Sequence, residues 1–208
     1  YDAYLAKHNI QRLYREEGLL FADVNTQLQK TDSNYSKLVI DVNEGSEFYV
    51  DKINFEGNTN FDDDELASTF DETHTKSWWQ FWRSSEFSLD DYEKDKELLL
   101  NYFKKNGYVD AQIVKDTLIY DIENSTVAIN ISVYEGDKLY IRDINFSGNT
   151  VYPEAILLQR LDFKKGEPYD LERFEMNLHQ NEEQTDVTSL YADNGYLAAR
   201  LIPEERRD

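Results

Sequence analysis

Carboxylates are the most abundant reactive groups in this 208-residue chain: 42 Asp and Glu stand against 22 Lys and Arg, a formal charge of -20. Paired carboxylates can carry general acid–base chemistry, as in glycoside hydrolysis. Here the acids gather at predicted helix starts and on solvated faces, where they complement the positive end of the helix dipole. His8, His74 and His179 lie far apart and show neither an H-x-x-x-H spacing nor the order of a catalytic triad. Asn58 to Asp64 superficially resembles a calcium loop, but the sixth place lacks glycine and the twelfth is Thr69 instead of Glu. With no cysteine there is no thiolate metal site, disulfide or thiol nucleophile. Neither enzyme, metal nor cofactor is expected, and the acidic surface repels phosphate backbones, so nucleic acid is not an expected partner.

Residue types suited to binding are more conspicuous. Trp78, Trp79, Phe81 and Trp82 occupy a stretch between two predicted helices where polar loop residues are the rule. Tryptophan is enriched at interface hot spots and at membrane surfaces, so this stretch reads either as a lid over the helices or as a contact for a partner or membrane interface. No apolar run approaches the roughly 20 residues of a membrane-spanning helix, and Tyr1 does not open a secretory signal. The chain is expected to be a soluble excerpt of something longer.

The elements that position these residues are repeated. "INFEGNT" at 53–59 returns as "INFSGNT" at 144–150. Each run is a β-rich segment ended by a glycine–asparagine turn, Gly57-Asn58 and Gly148-Asn149. A short helix follows Asp62, whose carboxylate is expected to cap it, and a second begins after Ser88 and should stop at Gly107 in a left-handed conformation. Counting back from Gly107, Leu99, Tyr102 and Phe103 form one helical stripe. The same offsets from Gly195 give Val187, Leu190 and Tyr191, and from Gly18 they give Ile10, Leu13 and Tyr14. A strand is expected after each of these glycines. A last strand then alternates apolar and polar residues, with Ile129, Ile131 and Val133 in the central copy and Leu38, Ile40 and Val42 in the first.

The predicted class is α+β, in tandem β-α-α-β-β units that each pack a three-stranded sheet on two helices. Residues 1–47 form a partial copy with its second helix and last two strands, 48–137 a complete copy, and 138–208 a copy lacking its last strand. About six extra residues separate Tyr169 from Gly195 compared with Phe87 and Gly107.

The unit order, the I-x-F-x-G-N turn, the G-Y closing the second helix and the E-G before the next unit (Glu44-Gly45, Glu135-Gly136) resemble the polypeptide-transport-associated (POTRA) repeat. Tandem copies are similar to the periplasmic arm of BamA-type outer-membrane protein assembly factors. That resemblance implies a non-enzymatic scaffold at the periplasmic face of the bacterial outer membrane. The implied partners are unfolded outer-membrane β-barrel proteins, accessory assembly lipoproteins and the protein's own C-terminal membrane barrel. TamA-like and two-partner secretion transporters share the unit and form the alternative reading.

In the family, the strand after the second helix is an exposed sheet edge. Its counterpart here is Tyr108 to Leu118, with Val109, Gln112, Ile113, Lys115 and Thr117 as the candidate client-binding residues. An edge strand offers unpaired backbone N–H and C=O groups to an extended peptide, whereas charged residues such as Asp110, Lys115 and Asp116 can blunt an edge. Both readings remain open from sequence. Gly18, Gly57, Asn58, Gly107, Gly148, Asn149 and Gly195 are expected to serve the turns themselves.

Overall fold

The computed structural model describes residues 2–16, 19, 21–30, 36–45, 47–75, 86–179 and 181–207. Gly18 and the aromatic stretch Trp78, Trp79, Phe81 and Trp82 lie outside the described residues. The chain divides into two compact units, one of Tyr1–Leu99 with Ile113–Tyr134 and one of Leu100–Gln112 with Glu135–Asp208.

In the first unit, helix α1 (Asp2–Glu16) precedes strands β1 (Asp23–Lys30) and β2 (Ser36–Asn43), which pair antiparallel from Asp23↔Asn43 to Lys30↔Ser36. Next come β3 (Tyr49–Glu56), α2 (Asp63–Ala67), α3 (Leu89–Lys105), β4 (Gln112–Asp121) and β5 (Thr126–Tyr134). These complete a β-α-α-β-β unit whose strands are ordered β3-β5-β4. The last strand is therefore central, flanked by a parallel β3 and by β4. Only four residues join β4 to β5, too few for a parallel crossover, so those two strands form a hairpin.

The alternation of β5 decides its faces. Val127, Ile129 and Ile131 are fully buried, while the intervening Thr126, Ala128, Asn130 and Ser132 are half-exposed on the other side. Asn54 Nδ2 donates to Asn130 Oδ1 at 2.6 Å across that polar face. In the first copy, the equivalent Leu38, Ile40 and Val42 are each about 40% exposed; among the described residues β2 has only β1 as its strand neighbour there. The same apolar pattern thus becomes core only when a sheet and helix layer close over it.

Aromatic rings knit the unit together. Phe55 meets Phe70, Phe70 meets Tyr92, and Tyr92 meets Phe87. Phe87 then touches Tyr120 of β4, whose ring also contacts Phe48 and, from the preceding copy, Phe21. Each such tilted or edge-on pair contributes about 0.5–1.5 kcal/mol beyond its buried area.

Two glycines are fixed by close approach as well as by conformation. Gly57 has φ 87°, and a Cβ there would fall 2.2 Å from the Val133 carbonyl oxygen. Gly107 has φ 92°, with the Leu139 carbonyl oxygen 2.9 Å from the same hypothetical atom. Gly148 and Gly195 share the left-handed φ but would meet nothing within 4 Å. The asparagine beside each first-strand glycine makes the same clasp in both copies. Asn58 Nδ2 donates to the Phe61 carbonyl and Asn149 Nδ2 to the Tyr152 carbonyl, each at 3.0 Å.

The second unit carries α4 (Glu154–Leu161), α5 (Leu171–Leu178) and α6 (Val187–Asp193). Its core is Leu157, Leu161, Phe163, Leu178, Val187 and Tyr191, with Ile144, Phe146, Ala199 and Leu201 packed against it. Three expectations are corrected here and in the central copy. First, the segments predicted as strands around 144–147 and 195–201 lie on this core but form no ladder. In the central copy the last strand, β5, is the middle one of the ladder, and among the described residues of 138–208 no strand takes that place. Second, the predicted second helix of this copy is split into α5 and α6, and the extra residues fall in the break. Asp186 caps α6 there, accepting from Ser189 N–H at 2.8 Å.

Third, α2 has Asp62 at its N-cap, but that side chain makes no capping bond, and Asn58 Nδ2 donates instead to Asp63 Oδ1 at 2.7 Å.

Candidate functional site

The open edge of the central sheet is β4. Among the described residues its strand neighbour is β5 alone, so the outer row of backbone N–H and C=O groups has no strand partner. The opposite edge, β3, is partly occupied at its start, where Phe87 N–H donates to the Phe48 carbonyl at 2.7 Å beside a Tyr49–Glu86 bridge.

Of the predicted edge residues, Gln112, Ile113, Lys115 and Thr117 lie on β4 and Val109 does not. The strand begins four residues later than expected. Tyr108 N–H donates back to the Phe103 carbonyl at 3.0 Å and Ala111 N–H to the Tyr108 carbonyl at 3.1 Å, so residues 108–111 close the helix instead of opening the strand. Tyr196 repeats the first of these bonds with the Tyr191 carbonyl at 2.9 Å in the next copy.

Successive side chains of β4 alternate between faces. Asp116 and Tyr120 contact α3 and the aromatic core, so even positions face the helix layer. Ile113, Lys115, Thr117 and Ile119 therefore face the polar side of the sheet. Val114 and Ile119, on opposite faces, are 66% and 54% exposed, and Ile122 just beyond the strand is 71% exposed. Sequence reasoning passed over these three, although their β-branched apolar character was a readable signal.

The charges on β4 have distinct roles. Lys115 is exposed, whereas Asp116 turns inward to α3. Lys96 Nζ sits 2.9 Å from Asp116 Oδ2 and 2.8 Å from Glu93 Oε1, and the buried Tyr92 hydroxyl donates to the same Asp116 oxygen at 3.2 Å. The Lys96 hydrogen bond holds the Asp116 carboxyl below its ordinary range, against an opposing contribution from partial burial. Burial pulls Lys96 down, but its two carboxylate partners prevail and raise it. Burial chiefly, and Asp116 next, push the Tyr92 phenol up, so it remains a proton donor at neutral pH.

A second acid was also missed. Asp95 is buried on α3 and collects the backbone N–H groups of Asp71, Glu72 and Thr73 at 2.7, 3.3 and 2.6 Å. Its signal was an acid on the Tyr92–Leu99 apolar stripe, at i+3 from one and i-4 from the other. These bonds fix the chain just before the tryptophan stretch. Among the described residues no group of three or more His, Cys, Asp or Glu is arranged to hold a metal ion. No described helix is long and apolar enough to cross a membrane.

The α+β unit with its central last strand finds its match in a family model described as POTRA, surface antigen variable number repeat, over residues 48–136 and 139–208. The chain belongs to the POTRA family. Its POTRA copies are similar to the outer membrane protein assembly factor BamA of Neisseria meningitidis serogroup B, 26% identical over 158 residues, which are 76% of this chain and 20% of that protein. BamA of Nitratidesulfovibrio vulgaris is 26% identical over 198 residues, 92% of this chain and 24% of the relative. The chain thus spans about a quarter or less of the length of these two relatives. Among solved structures, BamA POTRA3-5 of Haemophilus influenzae aligns at 24% identity and a TM-score of 0.48, covering 81% of this chain and 64% of that one.

Proposed function

We propose that these POTRA repeats form the periplasmic arm of an outer-membrane protein assembly factor and capture extended, β-rich segments of unfolded barrel proteins by adding them as a fourth strand beside β4. The observation that carries this reading is the position of β4 at the open edge of β3-β5-β4, with Val114 and Ile119 exposed along it. Backbone pairing supplies affinity that is indifferent to most side chains, which suits a helper with many clients. The guest strand is held along Gln112, Ile113, Lys115 and Thr117, together with Val114 and Ile119 of β4. Support for the assembly role comes from relatives named as assembly factors. Accessory lipoproteins and a membrane barrel elsewhere in the full-length protein complete the proposed set of partners.

Amide hydrogen exchange with and without an extended amphipathic peptide tests the reading. Added protection confined to 113–120 is expected, since a new strand engages those outer N–H groups. Protection elsewhere with β4 unchanged would remove the edge from the mechanism.

A further inference from the structure

Strand addition places the incoming side chains against those of β4, face for face. On the helix side the guest meets Val114, Asp116 and Leu118 in succession. Beside Asp116 lie Lys96 and Glu93, and here two carboxylates share one ammonium, leaving one negative charge in excess. The Lys96 and Tyr92 bonds both end on Oδ2, and the Asp116 side chain, on the edge strand, remains 35% exposed. Taking an unbalanced charge out of water is costly unless the guest neutralises it. An inward-turned charge on an edge strand is also a known guard against indiscriminate pairing.

We propose that the Asp116–Lys96–Glu93 cluster makes the β4 edge charge-selective, admitting extended segments that set a lysine or arginine opposite Asp116 between two apolar side chains. This inference rests on the strand-addition reading of β4. Val114, 66% exposed, supplies the apolar contact on one side of the acid, and half-buried Leu118 supplies it on the other. Opposite charges across adjacent strands stabilise the pair and like charges oppose it. The chain's formal charge of -20 biases encounter in the same direction.

The test uses two labelled peptides of about nine residues, a strand's ordinary length or slightly more. They are rich in Val and Thr and differ only in a central Lys or Glu. Anisotropy titrations with the whole chain should show the Lys peptide binding about fivefold more tightly, a gap that narrows as salt rises. In Asp116→Asn, which keeps an acceptor for Tyr92 and Lys96, the preference should collapse. In Lys96→Met it should widen. Equal binding of both peptides to the native chain overturns the charge selectivity while leaving strand addition standing. A Lys preference that survives Asp116→Asn overturns the assignment to this cluster. Failure of both peptides to bind overturns the selectivity and the strand-addition reading together.

Discussion

The carboxylate of Asp95 on α3 accepts the backbone N–H of Thr73 at 2.6 Å, with the Asp71 N–H on its other oxygen at 2.7 Å. A buried acid thus stands in for missing secondary structure, satisfying the donors of a non-repetitive segment. Asp95→Leu would leave those donors without their acceptor and should cost about 2–4 kcal/mol. Asp95→Ala should cost a similar amount and Asp95→Asn less, since one amide oxygen still accepts. Urea unfolding of the three variants measures the ranking.

Asp116 gives a pH signature. Its folded carboxyl lies below the ordinary 3.8 because Lys96 and Tyr92 favour the charged form. A depressed carboxylate contributes stability that is present above the unfolded value and lost as pH falls through the folded one. The stability difference between native chain and Asp116→Asn should therefore be flat from about pH 5 to pH 8 and shrink below about pH 4. Lys96, raised above 10.5, loses its contribution only at strongly alkaline pH. Denaturant titrations carried from acid to strongly alkaline pH read both limbs.

The two first-strand glycines should separate on substitution. Gly148→Ala pays only for left-handed backbone, about 1–2 kcal/mol. Gly57→Ala pays that and also drives a methyl to 2.2 Å from the Val133 oxygen, so the strand pair must part. It should cost at least about 4 kcal/mol or prevent folding. Comparing thermal midpoints of the two variants checks the order, and equal losses would mean that β3 and β5 adjust freely around Gly57.

Much of the fold was legible because its signals are local. The I-x-F-x-G-N turn, the buried stripe ending at Gly107 and the alternation of Ile129, Ile131 and Val133 each announce an element without reference to the rest of the chain. What escaped depends on partners distant in sequence. The segments near 144–147 and 195–201 have strand-like residues, but a strand needs a neighbour, and among the described residues of 138–208 none takes the place that β5 holds in the central copy. Tyr108 and Val109 look like the opening of a strand, yet the bond from Tyr108 N–H to the Phe103 carbonyl spends them on closing the helix. The extra residues before Gly195 were countable, but their place between α5 and α6 was not.

The candidate site was half visible. A repeat-by-repeat comparison locates the edge strand, but the inward turn of Asp116 and the outward exposure of Val114 follow from its pairing with β5 and its packing on α3. Asp110, read alongside Lys115 and Asp116 as an edge charge, instead pairs with Arg207 at 2.6 Å in the second unit.

Strand addition at β4 is tested most directly by site-specific photocrosslinking from Thr117 in the full-length protein in living cells, with Ser132 on the central strand as the control position. Many different outer-membrane barrel precursors captured from Thr117, and few from Ser132, is the predicted result. Capture of nothing at Thr117, of one dominant species there, or of the same proteins equally from Ser132 would contradict it.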